Sequence, residues 1–154
     1  MDPPIVWSDT FALGHADLDG QHRALVDAIN TVRDTGEAGG QSGDLELRLL
    51  ALRKAVEEHL RTESAILWEL STGTSERLRK LRQNPGFQEM LDAAHLADHF
   101  ADHDRTLAEI DAIIASALPA AGGDGKSPFG RLKTWLFDHS TKYDAHLRPI
   151  FQAM

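Results

Sequence analysis

Apolar residues recur every three or four positions along four long stretches of the chain, which is the period of an amphipathic helix. Between these stretches lie shorter segments of Gly, Pro and polar residues, which are typical of connections. No stretch alternates as a strand does, and no internal repeat is present. The pattern predicts an all-α, up-and-down four-helix bundle. The predicted helices span residues 19–33, 45–70, 87–118 and 127–147.

The predicted connections contain residues that are typical of loops and of helix ends. Residues 34–43 and 121–125 are rich in glycine and are predicted loops, and Asp44 is placed to cap the second helix. Residues 75–82 are expected to form a short basic helix, which Asn84, Pro85 and Gly86 end.

The first 18 residues lack helical periodicity and predict a non-helical arm. Trp7 and Phe11 are its large apolar residues, and we expect them to pack the arm against the bundle.

Composition narrows the class of protein. The 154 residues, of which 42% are hydrophobic, suit one domain spanning residues 1–154. The absence of cysteine excludes disulfides, thiolate metal sites and thiol nucleophiles. A net charge of −8 argues against nucleic acid or an anionic membrane as the main partner. No apolar run approaches the roughly 20 residues of a membrane span, and no secretory signal is visible, so we expect a cytoplasmic protein.

Eight histidines stand out, because most of them lie on the inward stripes of the predicted helices. Residues four apart share one helix face, so His59 with Glu63 and His99 with His103 can each point at a common centre. The inward groups are His22 on the first helix, His59 and Glu63 on the second, His95, His99 and His103 on the third, and His139 and Asp144 on the fourth.

A single inward histidine is more often a hydrogen-bonded core residue than a metal ligand. Here all four helices carry such groups, and burying them without partners would cost several kcal/mol for each group. A metal centre satisfies them together. Five histidines and two carboxylates are too many for one tetrahedral zinc and suit two octahedral ions with a position left open. Two irons fit best, while manganese and zinc remain alternatives.

The ligand chemistry also bears on function. The ferritin-like oxidases use Glu-x-x-His motifs, and this chain contains none. A donor set rich in neutral histidine favours reversible dioxygen binding over the high-valent states that oxidation requires.

Longer motifs resemble those of the hemerythrin family, specifically its single-domain bacterial members, over nearly the whole chain. The middle motifs are His59-x3-Glu63 and His99-x3-His103. The front motif comprises Trp7, Leu13-Gly14-His15, Leu18-Asp19-Gly20-Gln21-His22, Leu25 and Ile29-Asn30, and the rear motif comprises Trp135-Leu136-Phe137-Asp138-His139 and Asp144.

The resemblance implies a role for each of these positions. His99, His103 and His139 would bind one iron, and His22 and His59 would bind the other, which keeps an open position for dioxygen. Glu63 and Asp144 would bridge the pair together with an oxo or hydroxo group. The dioxygen pocket would be lined by Leu25, Leu60, Trp135, Leu136 and Ser140.

Two pocket positions depart from the family pattern. Leu60 stands where phenylalanine is usual, and Ser140 stands where a large aliphatic residue is usual. A hydroxyl in the pocket predicts faster oxidation of the iron pair. Alternatively, Ser140 bonds back to a helix carbonyl and never faces the pocket.

The spacing between Glu63 and His99 exceeds the family norm, which indicates an insertion at about residues 71–87. It either lengthens the neighbouring helices or adds a short one. Its basic cluster is expected to be a solvated face, with partner docking as the alternative. The cluster comprises Arg77, Arg79, Lys80 and Arg82.

Three histidines remain outside the implied ligand set. His95 repeats the spacing of the third-helix ligands one turn earlier, and the family pattern favours His99 and His103 over it. His15 and His146 are expected at the surface or beside the ligands.

One geometric question stays open. Residues five apart on an ideal helix point about 140° apart, yet His139 and Asp144 should reach the same centre. Either the helix passes close beside the metals or a local π-bulge turns one side chain inward.

The sequence thus favours a non-enzymatic dioxygen-binding protein that acts in storage, delivery or sensing. The alternatives are a di-iron enzyme or scavenger of nitric oxide or peroxide on the same scaffold, and a module that reports oxygen or iron to a protein partner.

Overall fold

The computed structural model describes residues 2–37, 42–118 and 127–154, and these ranges contain helices and no strands. The predicted all-α bundle is confirmed. Its first three long helices are α1 (Ala16–Glu37), α2 (Ser42–Thr72) and, after the short helices α3 (Glu76–Gln83) and α4 (Pro85–Gln88), α5 (Ala93–Ala117). The fourth is a continuous helical run made of α6 (Phe129–Asp138), a π-helical segment (His139–Tyr143), a 3-10 segment (Asp144–Leu147) and α7 (Arg148–Ala153).

The first two helices are longer than predicted. α1 begins at Ala16, before Asp19, and the Asp19 carboxylate instead accepts hydrogen bonds from the backbone of Leu13 and Gly14. Because α2 begins at Ser42, Asp44 lies within its first turn rather than at its cap, so that prediction was wrong. Most of the predicted loop 34–43 is helical, and its residues 38–41, like the predicted loop 121–125, lie outside the described residues.

The third helix is shorter than predicted, because Asp92 interrupts it. The Asp92 carboxylate accepts a hydrogen bond of 2.7 Å from the backbone N–H of His95 and so caps α5 at its start. A side chain that offers this bond competes with continuation of the helix. The predicted start at residue 87 is therefore wrong, although Leu91 is still buried just before the cap.

The insertion forms the short helices α3 and α4, with Ser75 and Asn84 as their N-caps. The chain turns from α2 into α3 at Gly73, where a Cβ would lie 2.6 Å from the Glu69 carbonyl oxygen and would collide with Leu78. Arg82 donates to the carbonyls of Leu70 and Gly73 at the end of α2. This member of the basic cluster therefore holds α3 against α2 rather than serving only as a solvated cation.

Two apolar clusters fill the bundle, and the candidate ligands lie between them. On α2, for example, His59 and Glu63 fall between Val56 of the first cluster and Leu67 of the second. The same order holds on α5, where His99 and His103 separate Leu96 from Ile110. The insertion contributes Leu78 and Leu81 to the second cluster.

The N-terminal arm packs as expected. Phe11 is buried in the first cluster and Trp7 packs against it. Asn30 on α1 fixes the start of the arm, since its side-chain amide both donates to and accepts from the backbone of Ile5 at 2.8 Å. No helix in the described ranges is both long and apolar enough to cross a bilayer.

Candidate metal centre

The structure brings all seven predicted ligands together in the layer between the two apolar clusters. Two groups form there, within each of which the candidate ligand atoms lie within 4.8 Å of one another. Six of the seven residues are buried, and the His99 side chain is 14% exposed. The first group is His22, His59, His139 and Asp144, and the second is Glu63, His99 and His103.

Glu63 connects the two groups. Its Oε1 lies 2.7 Å from Nε2 of His99 and 3.2 Å from Nε2 of His103. Its Oε2 lies 3.3 Å from Nε2 of His59 in the other group. One carboxylate thus offers an oxygen to each group, as a bridging ligand must.

Asp144 reaches the first group because the fourth helix is not a regular α-helix there. Its Oδ2 lies 2.7 Å from Nε2 of His22 and 3.0 Å from Nε2 of His139. The π-helical segment begins at His139 and ends directly before Asp144. The wider π turn brings residues five apart onto one face, so the structure has the π-bulge that the sequence left as one of two possibilities.

His139 belongs by position to the first group, since its Nε2 lies 3.1 Å from Nε2 of His59. The family resemblance implied instead that it shares an ion with His99 and His103. The structure places His139 beside Asp144, and His99 and His103 beside Glu63, so the assignment of His139 to one ion stays a prediction.

In the first group, the ring nitrogens of His22 and His59 that face away from the centre each have a hydrogen-bond partner. Nδ1 of His22 lies 2.6 Å from the backbone carbonyl oxygen of Phe11, to which it donates. Nδ1 of His59 lies 3.1 Å from Oε1 of Gln21, whose amide nitrogen donates to Thr62. These partners hold the proton on Nδ1 and leave Nε2 free to bind a metal.

The second group has a partner of the same kind. The hydroxyl of Ser64 lies 2.8 Å from Nδ1 of His103. Sequence reasoning assigned no role to Ser64, and Gln21 appeared only as a member of a motif. A polar residue beside a candidate ligand is the sole signal that could have pointed to either, and the carbonyl of Phe11 gives none.

The electrostatics of the site favour ionised carboxylates beside protonated rings. Burial opposes ionisation of Glu63, as does the charge of Asp144, but contacts with imidazoles outweigh both and lower the pKa of Glu63 to about 2. Burial alone would lower the pKa of His59, yet contacts with Asp144 and Glu63 raise it to about 9. Burial would also lower the pKa of His139, but Asp144 raises it. The pKa of Asp144 itself is held well below its usual value.

Two buried oxygens show that the donor set suits a metal. Oδ1 of Asp144 makes no hydrogen bond to any described residue, and Oε2 of Glu63 makes none beyond its ion pair of 3.3 Å with His59. A buried carboxylate oxygen without a hydrogen bond costs about 1–3 kcal/mol or more. Histidine nitrogens and carboxylate oxygens are donors that divalent transition metals accept, so bound cations would satisfy both oxygens.

The predicted pocket residues are all buried. Leu25, Leu60, Trp135 and Leu136 belong to the first apolar cluster. The Trp135 ring stacks on His139 with centroids 5.4 Å apart. Ser140 is 1% exposed, and its hydroxyl has no hydrogen-bond partner among the described residues, so the bond to a helix carbonyl is not formed. Whether these residues line a dioxygen pocket stays a prediction.

The remaining histidines lie outside the two groups. His95 and His146 are exposed, and together with His99 they line a cavity of about 70 Å³. His15 packs against Phe151 near the start of α1. A second cavity of about 120 Å³ lies on the side of His139, and its polar lining is Asp102, Arg105, Thr106, Glu109 and Asp138.

Comparison with known proteins gives one family match. The family model described as the hemerythrin HHE cation binding domain matches residues 13–151, which include all seven candidate ligands. No curated protein and no solved structure matches. The match and the buried donor groups together indicate a metal-binding site.

Proposed function

From the premise that the chain belongs to the hemerythrin family, we propose that it binds dioxygen reversibly at a pair of iron ions in the layer between its two apolar clusters. The observation that carries the proposal is Glu63, whose two oxygens face different groups of histidines. A carboxylate with one oxygen facing each group is suited to bind two ions rather than one.

The donor set supports iron in particular. Five imidazoles and two carboxylates combine intermediate and hard donors, which suits Fe²⁺ and Fe³⁺. They cannot fill the coordination shells of two octahedral ions, so a position remains for an external ligand. When bound, an iron pair supplies the two electrons that dioxygen accepts on binding and returns on release.

The protein's residues hold the ions, orient the ligand rings and shield the site from water. Phe11 and Gln21 orient the rings of His22 and His59, and Ser64 orients His103. The apolar cluster that includes Leu25, Leu60 and Leu136 keeps bulk water from one side of the site. Ser140 directly follows the ligand His139, and its buried hydroxyl has no hydrogen-bond partner among the described residues. It would therefore be available to donate a hydrogen bond at the site.

We propose no catalytic turnover. An oxidase must stabilise high-valent metal, for which anionic ligands are useful, whereas here neutral rings outnumber carboxylates five to two. Storage, delivery and sensing are all compatible with reversible binding. A di-iron enzyme, a scavenger of nitric oxide or peroxide, and a sensing module remain the alternatives that experiment separates.

The test is to load the metal-free chain with Fe²⁺ under anaerobic conditions and then admit air. We expect two irons per chain and a visible absorption band that appears in air and is lost under vacuum over repeated cycles. Glu63→Gln should bind fewer irons and lose the band. Glu58→Gln is the matched control, because Glu58 lies on the same helix but is exposed.

Sustained oxygen consumption in the presence of a reductant would point to the enzyme instead. A single iron per chain, or two irons without any reversible band, would overturn the proposal.

A further inference from the structure

Three histidines at four-residue intervals run along one face of α5, from its exposed first turn into the centre. They are His95, His99 and His103, each about 6 Å further along the helix axis than the one before. The rings of His99 and His103 are 4.4 Å apart between centroids, and both contact Glu63. His95 lies one turn outside this pair and is exposed.

His99 is the outermost of the seven candidate ligands. Its side chain is 14% exposed, against 8% for His103, 2% for His139 and none for Glu63 and His59. A cation that reaches the buried carboxylates without unfolding the bundle therefore meets His99 most readily.

The cavity beside His99 carries two more metal-binding groups. His95 enters its lining from α5 and His146 from the 3-10 segment after the π turn. Apart from the three histidines, the lining is the apolar side chains Leu67, Met90, Leu96 and Leu147. Neither the His95 nor the His146 side chain has a hydrogen bond, ion pair or ring contact with any described residue.

We propose that His95 and His146 form a capture site for divalent iron at the mouth of this cavity, from which the ion passes to His99 and then to Glu63. The inference rests on the proposed iron occupancy of the centre. Imidazole nitrogen binds Fe²⁺ and other transition metal ions in preference to Mg²⁺ or Ca²⁺. The net charge of −8 attracts cations to the whole surface, and the two rings select among them at one place.

The second cavity, beside His139, is less suitable as a route for iron. Its charged lining is Arg105, which forms an ion pair of 3.2 Å with Asp102, and the carboxylates of Asp102, Glu109 and Asp138. These carboxylates attract cations in general, but apart from His139 the cavity has no imidazole to select a transition metal ion. The Trp135 ring stacks on His139, which is the ligand at the inner end of that cavity.

Rates of iron uptake test the proposal. Metal-free full-length chain is mixed anaerobically with ferrous ammonium sulfate, and a chromogenic chelator traps the unbound Fe²⁺ after increasing times. The double variant His95→Gln/His146→Gln should take up iron about tenfold more slowly, since local concentration of an ion changes association rates by at least this much. Glu109→Gln is the matched control, because Glu109 is exposed and lines the second cavity, beside His139.

Final iron content and thermal unfolding of the metal-free form should be unchanged in both variants. Uptake by the double variant as fast as by the parent would overturn the proposal, as would equal slowing by Glu109→Gln. A lower final iron content would also overturn it, because His95 or His146 would then belong to the centre itself. Dioxygen binding by the iron-loaded parent protein is measured separately from iron uptake. Either proposal, reversible dioxygen binding or the capture site, can therefore fail while the other holds.

Discussion

Consecutive residues of α2 hold both nitrogens of one imidazole: Ser64 lies 2.8 Å from Nδ1 of His103, and Glu63 lies 3.2 Å from its Nε2. The serine side chain therefore fixes the orientation in which His103 would bind a metal.

Ser64→Ala is expected to lower metal affinity about tenfold, as loss of an outer hydrogen bond to a ligating histidine commonly does. Competition with a chelator of known affinity measures the change. Ser64→Thr keeps the hydroxyl and should retain most of the affinity. Equal loss in both variants would show that packing at this position matters rather than the hydrogen bond.

The metal-free protein is expected to be most stable between about pH 4.5 and 6.5, the ordinary pKa values of Glu63 and His59. The stabilisation from protonated His59 is complete below its ordinary pKa of 6.5 and is lost as pH rises through about 9. The stabilisation from ionised Glu63 is complete above its ordinary pKa of 4.5 and is lost as pH falls through about 2. Thermal unfolding after chelation, measured across this range, checks the window.

His59→Gln should reduce the alkaline decline in stability, to which His139 also contributes, while His146→Gln, at an exposed position, should leave the decline unchanged. Metal loading should release protons at neutral pH, because a ring must be neutral to bind a metal. A stability that stays flat from pH 6.5 to 9 would contradict the protonated state of His59.

Ser140→Ile is expected to slow oxidation of the reduced, oxygenated protein in air. A hydrogen bond to a charged group is worth about 1.5–3 kcal/mol, so its removal should change the rate tenfold or more if the hydroxyl assists loss of charge from the site. Ser140→Ala separates the loss of the hydroxyl from the added volume. Decay of the visible band in air measures the rate.

Thr141→Ala is the control for this series, since the Thr141 hydroxyl is exposed and already donates to the Phe137 carbonyl at 2.6 Å. It should leave the oxidation rate unchanged. If Ser140→Ile oxidises as fast as the parent, the hydroxyl has no part in the reaction.

Asn30→Ala is expected to reduce the free energy of unfolding by about 2 kcal/mol, because two hydrogen bonds to Ile5 are lost. The released arm should also be cut more readily by proteases, and the carbonyl of Phe11 should hold His22 less firmly. Denaturant titration and limited proteolysis measure these effects. Thr31→Ala, which removes a bond within α1 alone, should change stability by less than about 0.5 kcal/mol.

The sequence by itself determined the class of fold and pointed to the seven residues that the structure brings together. Helical periodicity is a local property, and it showed which face of each long helix is buried. The chemistry of His22, His59 and Glu63 on those faces is equally local, so a metal centre could be inferred before any contact was known. The family match supports the same interpretation.

The tertiary structure decided where helices end, where the π turn lies and which groups contact the ligand rings. The side chain of Asp92 ends the helical continuation that periodicity had predicted from residue 87. The π turn at His139 brings Asp144 to the centre, and an uninterrupted α-helix would turn it away. The partners of His22 and His103 are a backbone carbonyl on the arm and a hydroxyl on another helix. Such contacts arise from packing between segments far apart in the chain, and periodicity along one segment carries no information about them.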